Sequence, residues 1–155
     1  MENEAKVLSL LGEAFPSVDT TQAVTAVRRI YLSVTQDVIF DMLRYAKETM
    51  SFGCLCAITG LDTGEGYEFL YHISDDKGML LTLKYRTADG DGVVIPSVLP
   101  IYEGATFYEL ELEGLLGVKV DGLPQDRQYP LPDNWPAGEY PMRKSWESKA
   151  KQEQE

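Results

Sequence analysis

The prolines decide how this chain can fold. Of its eight prolines, seven lie at or beyond Pro96. Those at 124, 130, 132, 136 and 141 exclude a long helix or central strand from the last third, because proline brings no N–H and its ring clashes with the preceding helical turn. Any regular core must be built mainly upstream. The 155 residues amount to one ordinary domain, long enough to bury one core.

Upstream, two helices and a sheet are legible. Val7, Leu8, Leu10, Leu11 and Ala14 recur at near-helical spacing until Phe15-Pro16 closes the segment, since proline disfavours helical geometry in the residue before it. Between Val24 and Val34 β-branched residues dominate, so the second half reads as a strand. Thr35-Gln36-Asp37 offers an N-cap to a second helix carrying Val38, Ile39, Met42, Leu43 and Ala46 on one face. Three strand-like runs follow, Cys54 to Gly60, Tyr67 to Ile73 and Met79 to Tyr85, with turn-rich separators at 62–66 and 74–78. Such spacing predicts antiparallel hairpins.

The expected fold is α+β, a two-layer sandwich of a mostly antiparallel sheet with two N-terminal helices over residues 1–95. A proline-rich extended arm over 96–146 and a flexible tail over 147–155 follow. Inside the arm, 106–117 reads as a short helix, with Thr106 and Glu109 as a capping box and Gly117 as terminator. Alternation of Leu110 and Leu112 leaves a strand as the alternative.

Charge and composition remove several functions. A formal charge of −11 repels phosphate backbones and gives no counterion release to drive nucleic-acid binding. No apolar run approaches the ~18 residues of a membrane span. The acidic start Met1-Glu2-Asn3-Glu4 reads as neither signal nor transit peptide, giving a cytoplasmic location by default. Cys54 and Cys56 are too few for a disulfide framework and are expected as buried core thiols. The one histidine, His72, makes no metal or general-base site alone and reads as a sheet-surface residue.

Glu109, Glu111 and Glu113 invite a paired-carboxylate reading, and a small hydrolase using Glu109 and Glu113 is the rival from enzymology. A helix turns Glu111 away from the other two, so a solvated or partner-facing acidic patch is preferred. With no nucleophile elbow or phosphate loop in view, weight moves to binding, and a free-standing binding module is a further rival. Tyr129, Trp135, Tyr140, Arg143 and Trp146 are interface-anchoring residue types strung along a segment too proline-rich to build its own core. Either that segment lies on a partner, or it wraps back over its own sheet.

At this segment the sequence resembles a known family. Ala105-Thr106-Phe107-Tyr108-Glu109-Leu110-Glu111, Gly117-Val118, Gly122-Leu123-Pro124 and the string from Leu131 to Lys144, containing Asp133, Trp135, Tyr140 and Arg143, are similar to the thirty-kilodalton subunit family of respiratory complex I, the C subunit of NADH dehydrogenase. Upstream, Thr59-Gly60-Leu61-Asp62 and Ile95-Pro96-Ser97-Val98 extend the likeness over residues 25 to 146. The Trp-Pro-x-Gly and Tyr-Pro-Met-Arg-Lys elements resemble the form in group 4 membrane-bound, energy-converting nickel-iron hydrogenases. Departures stand at Leu110 (usually arginine), Gly114 (usually acidic), Leu123 (usually histidine) and Gln125-Asp126-Arg127.

The resemblance implies a non-catalytic assembly subunit with no cofactor of its own, peripheral on the cytoplasmic face of a membrane. The expected partners are a large hydrogenase-like (forty-nine-kilodalton-like) subunit, an iron-sulfur small subunit and a ferredoxin-like iron-sulfur subunit, which would carry the iron-sulfur clusters and the nickel-iron centre. The complex is expected to be a ferredoxin-linked energy-converting hydrogenase, with an NADH or ferredoxin:quinone oxidoreductase as the alternative. The partner-binding residues it implies are Glu109, Glu111, Arg127, Asp133, Trp135, Tyr140, Arg143, Lys144 and Trp146.

Overall fold

A computed structural model describes residues 2–87, 92–123 and 129–146. The elements run α1 (Glu2–Ala14), a 3-10 turn, β1 (Val24–Ala26), β2 (Arg29–Ser33), α2 (Ile39–Met50), β3 (Cys54–Asp62), β4 (Tyr67–Ser74), β5 (Leu80–Arg86) and β6 (Val94–Pro96), then a second 3-10 turn, α3 (Thr106–Leu116) and β7 (Lys119–Asp121). The main sheet has the order β1-β2-β5-β4-β3. Its β1/β2, β3/β4 and β4/β5 pairs are antiparallel, whereas β2 and β5 run parallel with Ile30 opposite Leu81. The parallel pair arises because α2 carries the chain across the sheet before β3, β4 and β5 return to β2, and a crossover delivers the same strand direction.

Register sorts side chains onto two faces. Paired residues share a face, so Ile30, Leu32, Leu81, Leu83, Tyr85, Phe69, Tyr71, Ile73 and Ile58 point together and are buried. They share one apolar cluster with Ile39, Met42, Leu43 and Ala46 of α2 and Leu11 of α1. The α2 stripe has the i, i+3, i+4, i+7 spacing of a helix lying on a sheet. Its start differs from expectation: Val38 occupies the cap position without a side-chain hydrogen bond. Thr35 is instead the first residue of a turn in which its carbonyl accepts from Val38 N–H at 3.3 Å. The second half of Val24–Val34, read as a strand, is β2, and the first half adds β1 as its hairpin partner, with Arg28 (φ 56) at the tip.

Beyond residue 95 the chain does not leave the core. The expected boundary falls within β6, which pairs in parallel with β7. Val98, Ile101, Tyr102, Ala105, Leu110, Leu112, Leu116, Val118, Val120 and Leu123 are all buried in the same cluster as the sheet. Helix α3 lies over β3, close enough at Gly60 that an added Cβ would sit 2.4 Å from Leu116 Cδ1 and 2.6 Å from Leu112 Cδ2. Pro96 closes β6 and Pro100 sits inside the turn that Ile101 N–H closes on Val98 O, places where no proline N–H is required, and the chain bends there toward a third helix rather than extending. Gly117 (φ 70) ends α3 as expected. Among the described residues no helix is long and apolar enough to cross a membrane.

Candidate docking surface

The capping box expected at the start of α3 is not formed. A 3-10 turn (Glu103–Ala105) runs directly into the helix, so Thr106 already has helical geometry and no side chain caps the N-terminus. That frees Glu109, which is 2% exposed and points inward. Its carboxylate accepts from Ser97 Oγ–H at 2.7 Å and from Val98 N–H at 2.6 Å. A buried carboxylate without partners is prohibitively costly, and these two donors, with Leu99 N–H bonded to Ser97 Oγ at 3.1 Å, staple the loop after β6 to α3. Burial nonetheless pushes the Glu109 pKa up, with the two hydrogen bonds opposing it. Glu109 is therefore not a partner-facing acid but an internal clamp. Glu113 does a similar job from the next turn, accepting from Val120 N–H at 2.8 Å.

The departures from the family pattern have a structural reading. Leu110 and Leu123 stand where charged or polar residues are usual, and both are buried in the core. Gly114 allows the backbone to approach α3: a Cβ there would sit 2.4 Å from the Tyr129 carbonyl oxygen. An acidic residue at that place would push the C-terminal segment away.

That segment, residues 129–146, is a strap of turns. Carbonyls of Pro132, Pro136, Tyr140 and Arg143 accept from the N–H groups three residues on, a geometry prolines permit because the donors are other residues. It runs back along its own domain rather than standing away from it. Met142 N–H donates to Leu115 O at 3.0 Å, and Arg143 Nε donates to Leu116 O at 2.6 Å, satisfying carbonyls that a helix C-terminus leaves unpaired. The Arg143 guanidinium also lies over the rings of Tyr140 and Tyr67, 4.5 and 5.8 Å from their centroids. Tyr140 packs on Gly117, where a Cβ would lie 2.4 Å from the ring.

The strap ends on the β3–β4 turn. Asp62 accepts from Lys144 N–H at 2.8 Å and from Gly64 N–H at 2.7 Å, and these N–H groups hold its carboxyl below the usual aspartate range. Lys144 Nζ reaches Thr63 O at 2.8 Å. Trp135 and Trp146 meet at a tilt of 30° with centroids 6.0 Å apart, and Trp135 Nε1 donates to Glu139 O at 2.8 Å.

The expected site residues therefore divide. Trp135, Tyr140, Arg143, Lys144 and Trp146 come together in the strap and make internal contacts. Glu111 is half-buried beside a groove of about 210 Å3 that it lines with Leu115 and Met142. Asp133 is exposed. Arg127 lies outside the described residues. On α3 and the strap the large apolar side chains left open are others: Phe107 (54% exposed), Tyr129 (37%) and Met142 (53%), the first two meeting edge to face at 5.2 Å. Phe107, Glu111 and Leu115 recur at four-residue spacing along α3, so this band follows the helix and the strap beside it. In the sequence, Phe107 and Met142 stand out only as parts of a motif; nothing local marks them as exposed.

The thiols also differ from expectation. Cys54 and Cys56 are both exposed, because β3 is an edge strand whose register against β4 shifts between Leu55 and Ala57, and a bulge turns its residues outward. Tyr108 Oη donates to the Cys56 carbonyl at 2.9 Å, covering part of that edge. His72 sits half-buried on the sheet's other face, with Nδ1 2.9 Å from Thr82 Oγ1 and Nε2 3.2 Å from Thr59 Oγ1. Burial holds its pKa below the ordinary histidine value. Among the described residues no three His, Cys, Asp or Glu side chains are grouped to hold a metal ion.

The profile of the respiratory-chain NADH dehydrogenase 30 kDa subunit matches residues 32–152. The chain belongs to that family. It is 31% identical over 150 residues to the C subunit of the F(420)H(2) dehydrogenase of Methanosarcina mazei, covering 95% of this chain and 93% of the relative. It is 29% identical over 141 residues to formate hydrogenlyase subunit 5 of Escherichia coli, spanning 88% of this chain but only 25% of that longer protein. Among solved structures, a chain of the membrane-bound sulfane sulfur reductase, an archaeal respiratory membrane complex, superposes with a TM-score of 0.84 at 28% identity over 98% of this chain and 90% of that one. These relatives are named as parts of a dehydrogenase, a formate hydrogenlyase and a hydrogenase, and the solved neighbour belongs to a respiratory membrane complex.

Proposed function

We propose that this chain is a non-catalytic docking subunit on the cytoplasmic face of a membrane-bound, complex I-like oxidoreductase, seating a large hydrogenase-like subunit against α3 and the strap. The observation that carries this reading is the open apolar band of Phe107 on α3 with Tyr129 and Met142 on the strap, which hydrogen bonds fix to the helix end. A rigid, partly apolar ridge with aromatic anchors is what a permanent interface uses, because little conformational entropy is lost on binding. Two kinds of relative support it. In formate hydrogenlyase subunit 5 and in the C/D subunits of NADH-quinone oxidoreductase the matching region is a minor part of a longer chain. A domain fused to another in one organism commonly sits against it where the two are separate.

The reading extends to a ferredoxin-linked energy-converting hydrogenase, for which the formate hydrogenlyase and hydrogenase-4 relatives speak. In that complex, iron-sulfur and nickel-iron centres reside in the large subunit and in two iron-sulfur subunits. A second reading, a dehydrogenase feeding a quinone-type acceptor, is favoured by the end-to-end match to the F(420)H(2) dehydrogenase relative.

The test is affinity isolation of the tagged chain from mildly solubilised membranes, beside a Phe107→Glu/Met142→Glu variant. Both positions are more than half exposed, so the variant folds as the parent does. Loss of the large partner from the variant is expected; its retention by a folded variant sinks the assignment of the surface.

A further inference from the structure

Away from the strap, a cleft of about 330 Å3 opens where four segments of the chain converge. Lys6 of α1, Arg28 at the β1–β2 tip, Lys77 in the β4–β5 turn, and Thr49 and Ser51 at the end of α2 line it. The volume lies at the lower end of small-molecule sites, about 300–1,000 Å3. Its floor is apolar, formed by Leu10, Phe52 and Met79.

Two features set it apart. Arg28 (φ 56) and Ser51 (φ 64) are the only non-glycine residues with positive φ among the described residues, and both line this cleft. Left-handed backbone costs an L-residue about 1–2 kcal/mol and persists where its surroundings over-determine it. Arg28 is held in that way: its N–H donates to Glu4 Oε1 at 2.6 Å, and its carbonyl accepts from Leu80 N–H at 3.0 Å. Its guanidinium is thereby laid over Gly78, where a Cβ would stand 3.5 Å from Nη1, next to Lys77.

The second feature is charge. The chain carries a formal −11, yet none of Lys6, Arg28 and Lys77 is ion-paired with a carboxylate of the described residues. The one acid in the wall, Asp75, is engaged by the N–H groups of Lys77 and Met79 at 2.9 and 2.7 Å. Three cations therefore face one carboxylate in the wall, with the buried Glu4 carboxylate behind the Arg28 N–H; positive charge is in excess, and an anion bound among the three offsets their mutual repulsion.

We propose that this cleft binds a phosphate-bearing ligand, the phosphate resting between Lys6, Arg28 and Lys77 with the hydroxyls of Thr49 and Ser51 as further donors, and the remainder of the ligand on the apolar floor. The chemistry suits a free phosphorylated molecule and a phospholipid headgroup alike. Arginine's fork and the lysine ammonium both favour phosphate oxygens.

The test uses the full chain in three arms. Calorimetric titration with inorganic pyrophosphate reads a free phosphorylated ligand, and co-sedimentation with phosphatidylcholine vesicles with or without phosphatidylglycerol reads a headgroup. Poly-glutamate is the third arm. Saturable binding of pyrophosphate or of the phosphatidylglycerol vesicles is expected, weakened by salt. Arg28→Asn/Lys77→Gln, in which asparagine keeps the left-handed tip, should weaken it roughly tenfold or more per charge removed. Lys119→Gln, on β7, should leave it unchanged. No saturable binding to either phosphate probe, binding that Arg28→Asn/Lys77→Gln leaves intact, or tighter binding of poly-glutamate than of both phosphate probes would each overturn the proposal, the last in favour of an acidic partner segment.

Discussion

Substituting Gly117 by alanine probes how the strap is held. Gly117 has φ +70, and the missing Cβ would stand 2.4 to 2.6 Å from three atoms of the Tyr140 ring. The backbone strain alone costs about 1–2 kcal/mol. The ring cannot share that space, so Tyr140 must swing out and take Arg143 with it. Lost with them are the guanidinium–ring contact and the charge-assisted bond to Leu116 O, which raises the total to about 3–5 kcal/mol. Gly138→Ala supplies the comparison, since Gly138 has φ +80 with nothing within 4 Å of an added Cβ, and it should show the strain alone. The assay is urea unfolding followed by two probes. Both tryptophans, Trp135 and Trp146, lie in the strap, so their fluorescence reports the strap and far-UV circular dichroism reports the sheet and helices. In Gly117→Ala the fluorescence transition should move to lower urea and separate from the dichroism transition. Coincident transitions in Gly117→Ala, or an equal shift in Gly138→Ala, would refute the idea that Tyr140 and Arg143 anchor the strap at this point.

Two further perturbations address the core beneath it. The raised pKa of Glu109 means that the native state binds a proton the unfolded state has already released, so the stability tied to Glu109 is full below the ordinary glutamate pKa and is lost as pH rises through the native value. Glu109→Gln, titrated beside the parent by chemical denaturation, should match it in acid and gain on it towards neutrality; a flat or opposite difference contradicts the buried-carboxylate reading. Gly60→Ala should lower stability by about 1–3 kcal/mol through overpacking against Leu112 and Leu116, and adding Leu116→Ala should recover part of the loss in thermal melts, whereas a neutral Gly60→Ala would show that α3 does not press on β3.

Much of the sheet domain was readable because its signals are local. Ile39, Met42, Leu43 and Ala46 carry helical spacing within their own segment, and the turn residues between β3, β4 and β5 mark the hairpins. What escaped depends on residues distant in sequence. Thr106 and Glu109 have the spacing of a capping box, and only the arrival of Ser97 and Val98 beside the helix sends Glu109 inward. Cys54 and Cys56 alternate like core residues, but β3 is an edge strand with a shifted register. The parallel β2/β5 pair is set by where α2 crosses, which no strand pattern encodes.

The candidate surface was half legible for the same reason. Prolines forbid regular structure in the strap, yet they do not say which surface it lies on; Gly114 and Gly117, which let Tyr129 and Tyr140 close on α3, carried that information. The aromatic residues expected to face a partner mainly grip the chain's own helix and turn. Phe107 and Met142 remain open.

The most direct measurement is the identity of what the tagged chain brings out of the membrane, read by mass spectrometry with cross-links mapped from α3 and the strap. If α3 and the strap are the docking surface, a stoichiometric large hydrogenase-like subunit is recovered, cross-linked near Phe107, Tyr129 and Met142. Recovery of the chain alone, or of that subunit cross-linked only to the open face of the sheet around Tyr31 and His72, would contradict it.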